Sequence, residues 1–392
     1  MRGRSPAAPP AGVLSAAEVA ASADWIASVQ LPTGMIPWYP GGHADAWNHT
    51  EAAMALSLAG RRAEAESAFE WLSATQQADG SWCMYLLAEG VEEPRRDPNV
   101  GAYVATGVWW HWRLSGDRGF LETMWPAVCS AMEFALALQA PGGEIRWSRD
   151  VDGQVGRFAL LTGTSSILRS LRCATWLAAA LGEERPAWEA AAARISAAIA
   201  RHVGASASVG AARFEGGGGF APKNRWAMDW YYPVLSGAID TESARARLEK
   251  RWETFVLPGR GVRCVSDHEW ITVAETAECA MALDAAGARR SAVETLGWTR
   301  QLRDPDGAYA TGCVYPQAVR FPGGERSTYS AAAVLMADHL LFARSAVSDL
   351  FRHPAPGVVP GVAAGVAAGV AAGVGERDGT GLWAEEDETE VA

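Results

Sequence analysis

Five carboxylates, Asp45, Asp97, Asp229, Glu275 and Glu325, stand where a glycine- and aromatic-rich loop runs into alanine-rich helical sequence. A carboxylate at that point is first of all an N-cap, because Asp is a favoured cap and the positive helix end stabilises its charge. Five of them around one mouth would do more than cap. Glycoside hydrolysis needs two carboxyl groups, one protonated to donate to the leaving oxygen and one ionised to activate water or attack carbon. A helix N-terminus keeps a carboxylate ionised, which suits the base. A tryptophan wall raises its pKa, which suits the acid.

Asp45 has the densest surroundings: GGHADAWNHTEA places His43, Trp47, Asn48, His49 and Glu51 beside it, after glycines that allow a close turn. Glu275 comes second, in SDHEWITVAETAEC, with Asp267, His268, Glu269, Trp270 and Glu278. Glu275 and Glu278 are three apart and share a helix side, which leaves Glu275 nearer the mouth and Glu278 in a supporting place. The segment NRWAMDWYYP sets Asp229 among Trp226, Trp230, Tyr231 and Tyr232, so Asp229 is an alternative partner for Asp45. The expected acid–base pair is Asp45 with Glu275, in unassigned order. Trp38, Trp47, Trp230 and Trp270 are expected to stack on sugar rings, and His43, His49, Asp97, Trp226, Asp229, Tyr231 and Asp267 complete the expected substrate-binding set.

Other chemistries find less support. HADAWNH and SDHE hold ligand types without an HxxxH or HExxH spacing, so no metal and no cofactor are expected. No Walker or GxGxxG loop occurs, and no Ser or Cys nucleophile carries a triad signature. Arg95, Arg96, Arg149 and Arg326 could hold an anionic group or be solvated loop charges.

These residues need a scaffold that brings distant loops together, and the chain repeats itself in a way that supplies one. Six similar loops recur: Leu31–Asp45, Gln76–Asp97, Gln139–Asp152, Gly216–Asp229, Pro258–Glu275 and Arg303–Glu325. Between them lie short glycine-bearing returns, AGRR, SGDRG, LGEERP and AGARR. Apolar spacing and breakers predict twelve helices near 15–30, 46–59, 61–77, 99–115, 118–140, 164–182, 186–202, 228–238, 241–253, 272–287, 289–302 and 327–345. Six hairpins with all long loops at one end describe an all-α fold, a closed (α/α)6 toroid with a loop-lined mouth. It is expected to span 15–350 as one domain, after a flexible start at 1–14 and before a disordered low-complexity and acidic tail at 351–392.

Composition narrows the partners. A net charge of −11 over 392 residues argues against nucleic acid and against adsorption to anionic membranes. No apolar run reaches a bilayer-spanning length, and the start lacks a secretory h-region. Six scattered cysteines without a CxxC pair read as reduced thiols in a cytoplasmic protein. Eighteen tryptophans, several of them in the loops, suit a cleft that stacks against sugars. Oligomeric state is left open.

Two resemblances follow from particular residues. Gln76, Gly80 and Trp82 in QQADGSW match the QxxxGxW repeat of terpenoid cyclases and protein prenyltransferase β subunits, which are also (α/α)6 barrels. The DxDD and DDxxD motifs of those chemistries are absent, as is an Asp/Cys/His zinc set. The segment RRDPNVGAYVATGVWWHWRLSGDRGFLETMWPAV looks like six-hairpin glycosidases of the glucoamylase type, where an acidic loop, a helix, TGD, FL and WP follow in this order. Over nearly its whole globular length the chain also resembles actinobacterial proteins labelled prenyltransferase, and the methylmannose polysaccharide hydrolases, endo-acting α-mannosidases, look similar in size and (α/α)6 fold. That likeness implies a hydrolase of a neutral poly- or oligosaccharide, with Asp45 and Glu275 as the catalytic pair and inversion by analogy with many six-hairpin enzymes. The alternatives are a terpenoid cyclase or prenyltransferase-like enzyme, which needs an apolar cavity with one deep acid, and a non-catalytic carbohydrate-binding barrel.

Overall fold

The computed structural model describes residues 12–205 and 219–352. In chain order the helices are α1 (Ala16–Val29), α2 (Ala46–Leu58), α3 (Arg62–Thr75), a short α4 (Pro98–Ala102) that leads into α5 (Val104–Ser115), α6 (Arg118–Ala137), α7 (Leu161–Leu181) and α8 (Pro186–Ala205). They continue with α9 (Ala227–Ser236), α10 (Thr241–Lys250), the single turn α11 (Trp252–Phe255), α12 (Val273–Ala285), α13 (Arg289–Trp298) and α14 (Thr328–Phe342). Helices α2, α5, α7, α9, α12 and α14 each pack on the next, and α14 returns to α2, closing an inner ring. Helices α1, α3, α6, α8, α10 and α13 form the outer ring. This is the (α/α)6 toroid that the repeats predict.

Side-chain composition decides which ring a helix joins. AWNHTEAAMALSL of α2 and TYSAAAVLMADHLLF of α14 are rich in small and apolar residues, and they are buried nearly all round. TESARARLEK of α10 buries only Ala244 and Leu248 and lies outside. Among the described residues no helix is long and apolar enough to cross a membrane.

The QxxxGxW segment is a structural staple. Gln76 Nε2–H donates to the carbonyls of Gly80 (3.0 Å) and of Ala127 on α6 (2.9 Å), and Trp82 Nε1–H donates to the Leu72 carbonyl (3.0 Å). Gly80, at φ +85°, lies so near α6 that a Cβ would meet the Ser130 carbonyl oxygen at 2.1 Å. The device recurs without its tryptophan. Gln30 bridges Gly34 to Glu64 on α3, and Gln139 bridges Gly143 to Ala191 on α8. In the last loop Arg303 takes the glutamine's place and donates to the Glu18 carbonyl, while Gly307 presses on Ala21 of α1. Each staple fastens a mouth loop to the next outer helix, and the last one closes the outer ring. The motif builds the fold.

The long loops also hold short strands that the helical period does not reveal. β1 (Tyr85–Leu87) and β2 (Gly90–Glu93) form a hairpin. β3 (Val256–Leu257), β4 (Gly261–Arg263), β5 (Trp270–Thr272), β6 (Gly312–Val314) and β7 (Val319–Arg320) pair in that order as an antiparallel sheet built from two loops. The domain begins slightly before residue 15, since Leu14 is buried and its N–H donates to Asp338 Oδ1 on α14 (3.1 Å). Residues 1–11 of the expected flexible start, and 353–392 of the expected tail, lie outside the described residues.

Candidate active site

The N-terminal ends of α2, α4, α9, α12 and α14 surround a cleft of about 290 Å³. Trp38, Asp45, Trp47, Asp97, Trp270 and Glu275 line it together, although 237 positions of sequence separate Trp38 from Glu275. Asn48, Tyr85 and Tyr329 join them, and Glu51 and Glu278 close the bottom.

Asp45 caps α2 and is 3% exposed. Its Oδ1 accepts from the backbone N–H groups of Trp47 (2.7 Å) and Asn48 (2.9 Å). Its Oδ2 accepts from Trp38 Nε1–H (2.5 Å) and Asn48 Nδ2–H (2.7 Å). The helix-end N–H groups and the Trp38 and Asn48 donors all favour the ionised form of this carboxyl, and burial opposes them. Burial wins, and Asp45 stands above the ordinary carboxylate range despite four donors. Asp97 caps α4 through the Asn99 N–H (2.8 Å). Burial, with the charge of Asp45 adding to it, pushes its carboxyl up to about 7. Glu275, in the first turn of α12, is only half-buried. Its neighbours are the Cys264 thiol and Tyr329, both raised by burial and then by the Glu275 charge.

A second carboxylate layer lies beneath. Glu51 and Glu278, 4% and 5% exposed, come from the same two helices as Asp45 and Glu275. Glu278 accepts from the hydroxyls of Tyr231 and of Tyr232 (2.6 Å), and Glu51 accepts from Trp47 Nε1–H (2.9 Å) and from Tyr103. Burial, opposed by the two tyrosine donors and reinforced by Glu275, lifts Glu278 to about 7. Burial and the Glu278 charge lift Glu51 well above its ordinary range.

Several expected site residues are placed elsewhere. His49 is fully buried on the outer side of α2, where Nδ1 accepts the Ile36 N–H (3.0 Å), Nε2 meets the Ala68 carbonyl (2.9 Å) and the ring packs on Trp71. Trp230 is also core, stacked on Phe255 with Nε1–H donated to the Arg247 carbonyl. Tyr231 reaches the cleft only through Glu278. Asp229, the alternative acid, accepts from the Thr162 N–H and hydroxyl and faces a separate depression lined by Lys223, Arg247, Lys250 and Arg251. Asp267 is exposed and paired with Arg225 and His268, and Trp226 is exposed with Arg225 over its ring. His43 sits behind the wall, stacked on Tyr85 and paired with Glu92. Glu325 accepts the Thr311 hydroxyl. The mouth arginines have loop partners: Arg95 pairs with Asp150, Arg149 with Asp79, Arg326 with Asp306, and Arg96 donates to the Pro94 carbonyl. Among the described residues, no three His, Cys, Asp or Glu side chains converge as metal ligands.

The chain is 46% identical, over 341 residues, to the MMP endo-(1,4)-3-O-methyl-α-D-mannosidase of Mycolicibacterium hassiacum, covering 87% of this chain and 90% of that one. It belongs to the family of that glycoside hydrolase. The chain matches no protein-family model. Solved structures agree on the fold. A GH63 mannosylglycerate hydrolase from Thermus thermophilus superposes with a TM-score of 0.65 at 12% identity, over 81% of this chain and 99% of that one. A wild-type glycosidase gives 0.64 at 17% identity, over 83% and 97%.

A glycoside hydrolase accounts for the cleft better than terpenoid chemistry does, since five carboxyl groups stand among its aromatic walls where a cyclase needs one deep acid. The cleft also holds residues outside the expected set. Asn48 and Tyr329 had a signal, because each lies within the first turn of an inner helix at the end of a mouth loop. Tyr85 had none, because it comes from a three-residue strand.

Proposed function

We propose that this glycoside hydrolase cleaves internal α-mannosidic bonds of an O-methylated (1,4)-α-mannan with inversion, using Asp45 as acid and Glu275 as base. The observation that carries the assignment is the pairing, within one cleft, of a buried, tryptophan-walled Asp45 and a half-buried Glu275. Burial favours the protonated form of Asp45, which in this assignment gives its proton to the glycosidic oxygen as the C1–O bond breaks. Glu275, open to the cleft, takes a proton from the water that attacks C1 from the opposite face. Trp38, Trp47 and Trp270 supply flat apolar surface for sugar rings. The kinship with the M. hassiacum enzyme supports the methylated α-mannan and the endo action. No cofactor enters this mechanism. Six unpaired cysteines suit a reducing compartment, which supports an intracellular site of action.

The test is release of reducing ends from 3-O-methylated α-mannan, unmethylated α-mannan and α-glucan, with the first-formed anomer read by proton NMR. The expected result is preferred cleavage of the methylated mannan with the β-anomer formed first. Preferred cleavage of α-glucan would overturn the substrate, and an α-anomer formed first would overturn inversion.

A further inference from the structure

The outer face of the five-stranded sheet carries an apolar row that nothing in the fold explains. Trp270 of β5 lies directly opposite Val314 of β6, and Val314 lies opposite Val319 of β7. Directly opposed residues in an antiparallel sheet share a face, so these three side chains form one line across the strands. The alternate positions, Ile271 and Cys313, are 1% and 3% exposed and pack inward. The outward face of such a sheet is ordinarily polar. Here it begins at Trp270 in the cleft wall and ends at Val319, 57% exposed, on the edge strand. Phe321, 47% exposed, extends it by packing edge-on against Trp270, with ring centroids 5.3 Å apart. Val319 and Phe321 are among the few large apolar side chains exposed on the described surface.

We propose that Trp270, Val314, Val319 and Phe321 form an extended subsite that seats O-methylated sugar units beyond the bond being cleaved. The inference rests on the methylated mannan read above. An unmethylated sugar would set hydroxyl groups against valine and phenylalanine, where no donor or acceptor can replace water. A methyl ether at the same position sets a methyl group against the apolar surface and has no hydroxyl proton to leave unpaired. The row runs outward from the cleft, as a chain leaving the site would. Its occupant is therefore the polymer itself.

The test uses Val319→Ser/Phe321→Ser, two exposed positions, with 3-O-methylated and unmethylated (1,4)-α-mannan oligomers of increasing length. For the wild type, kcat/KM on methylated oligomers rises with length more steeply than on unmethylated ones. In the variant the ratio of long to short methylated oligomers falls about tenfold, carried by KM. An unchanged ratio overturns the subsite. So does an equal loss on unmethylated oligomers, and so does a wild-type dimer that the variant dissolves, since the row would then seat a second copy of the chain. Calorimetry with a Glu275→Gln protein reads binding without turnover and separates the two proposals. If the wild type cleaves no methylated mannan, the proposed function fails. The subsite then stands only if the long methylated oligomer still binds and loses about tenfold in affinity with the row removed.

Discussion

Asp45 and Glu275 hang from the first turns of α2 and α12 at the mouth, while Glu51 and Glu278 sit deeper on the same two helices. The upper pair meets backbone donors or solvent, because the first four N–H groups of a helix have no partner within it. Asp45 takes two of those N–H groups. One turn further down, every N–H is committed to the helix. The lower carboxylates must therefore be satisfied by side chains, and Trp47, Tyr103, Tyr231 and Tyr232 do so. Two like charges in a buried site cannot both ionise, so the lower layer is held short of full charge. Depth along one helix thus separates carboxyl groups held at the helix end and mouth from carboxyl groups held by side chains beneath them.

Removing charge from the upper layer gives the largest expected effect. Asp45→Asn keeps a good capping residue and loses the proposed acid, and Glu275→Gln loses the proposed base. Each should lower kcat by about 10²–10⁴, the usual worth of a general acid or base, with the melting temperature nearly unchanged. The comparison breaks if Glu278→Gln abolishes turnover as fully while Asp45→Asn retains it.

Removing donors from the lower layer should act on stability instead. Tyr231→Phe and Tyr232→Phe each leave a Glu278 oxygen without its donor, at a cost of about 1–3 kcal/mol in urea unfolding. Turnover should fall less than in the upper-layer variants. A double variant of unaltered stability that is nonetheless inactive would move Glu278 into the chemistry.

The pH dependence of stability gives a smaller and signed effect. Burial lifts Glu278 from its ordinary 4.5 to about 7. Between those values the folded protein holds a proton that the unfolded chain has lost, so this contribution is full at low pH and vanishes as pH rises through about 7. Wild type should therefore lose about 1–3 kcal/mol relative to Glu278→Gln between pH 5 and 8, as one pKa unit corresponds to about 1.4 kcal/mol. His49 runs the other way. Burial lowers it from 6.5 to about 4, so its contribution disappears as pH falls through that window. Parallel stability curves for wild type and Glu278→Gln would show that the lower layer carries no suppressed charge.

The same contrast explains what was legible in the sequence. Helix positions were readable because glycine returns and repeated loops mark their ends: 46–59 against Ala46–Leu58, and 241–253 against Thr241–Lys250. Mouth carboxylates were readable because capping ties residue type to position. The facing of inner helices was not. An inner helix is buried on all sides, so its hydrophobic pattern does not say which side meets the hole and which meets the outer ring. His49, four residues from Asp45, and Trp230, next to Asp229, were expected at the cleft and turn to the outer ring for that reason. The staples were illegible as a set because only Gln76–Gly80–Trp82 kept the full motif, while Gln30–Gly34 and Gln139–Gly143 lack its tryptophan and Arg303–Gly307 lacks the glutamine as well.

The finest test lies in two tryptophans that serve the two layers by the same bond. Trp38 Nε1–H donates to Asp45 and Trp47 Nε1–H donates to Glu51. In Trp38→Phe the Asp45 anion loses one of four donors, which disfavours the ionised form and raises its pKa further. An acid must be protonated to act, so the alkaline limb of the kcat/KM profile should move to higher pH. A bond to a charged group is worth about 1.5–3 kcal/mol, and the three remaining donors take up part of the loss, so a shift of about one unit is expected. Trp47→Phe should leave that limb within a few tenths of a unit, because the proposed proton donor is Asp45 and not Glu51. Its effect should appear as a loss of about 1–3 kcal/mol in stability. A limb that moves for Trp47→Phe and not for Trp38→Phe would assign the acid to the lower layer and reverse the order of the two.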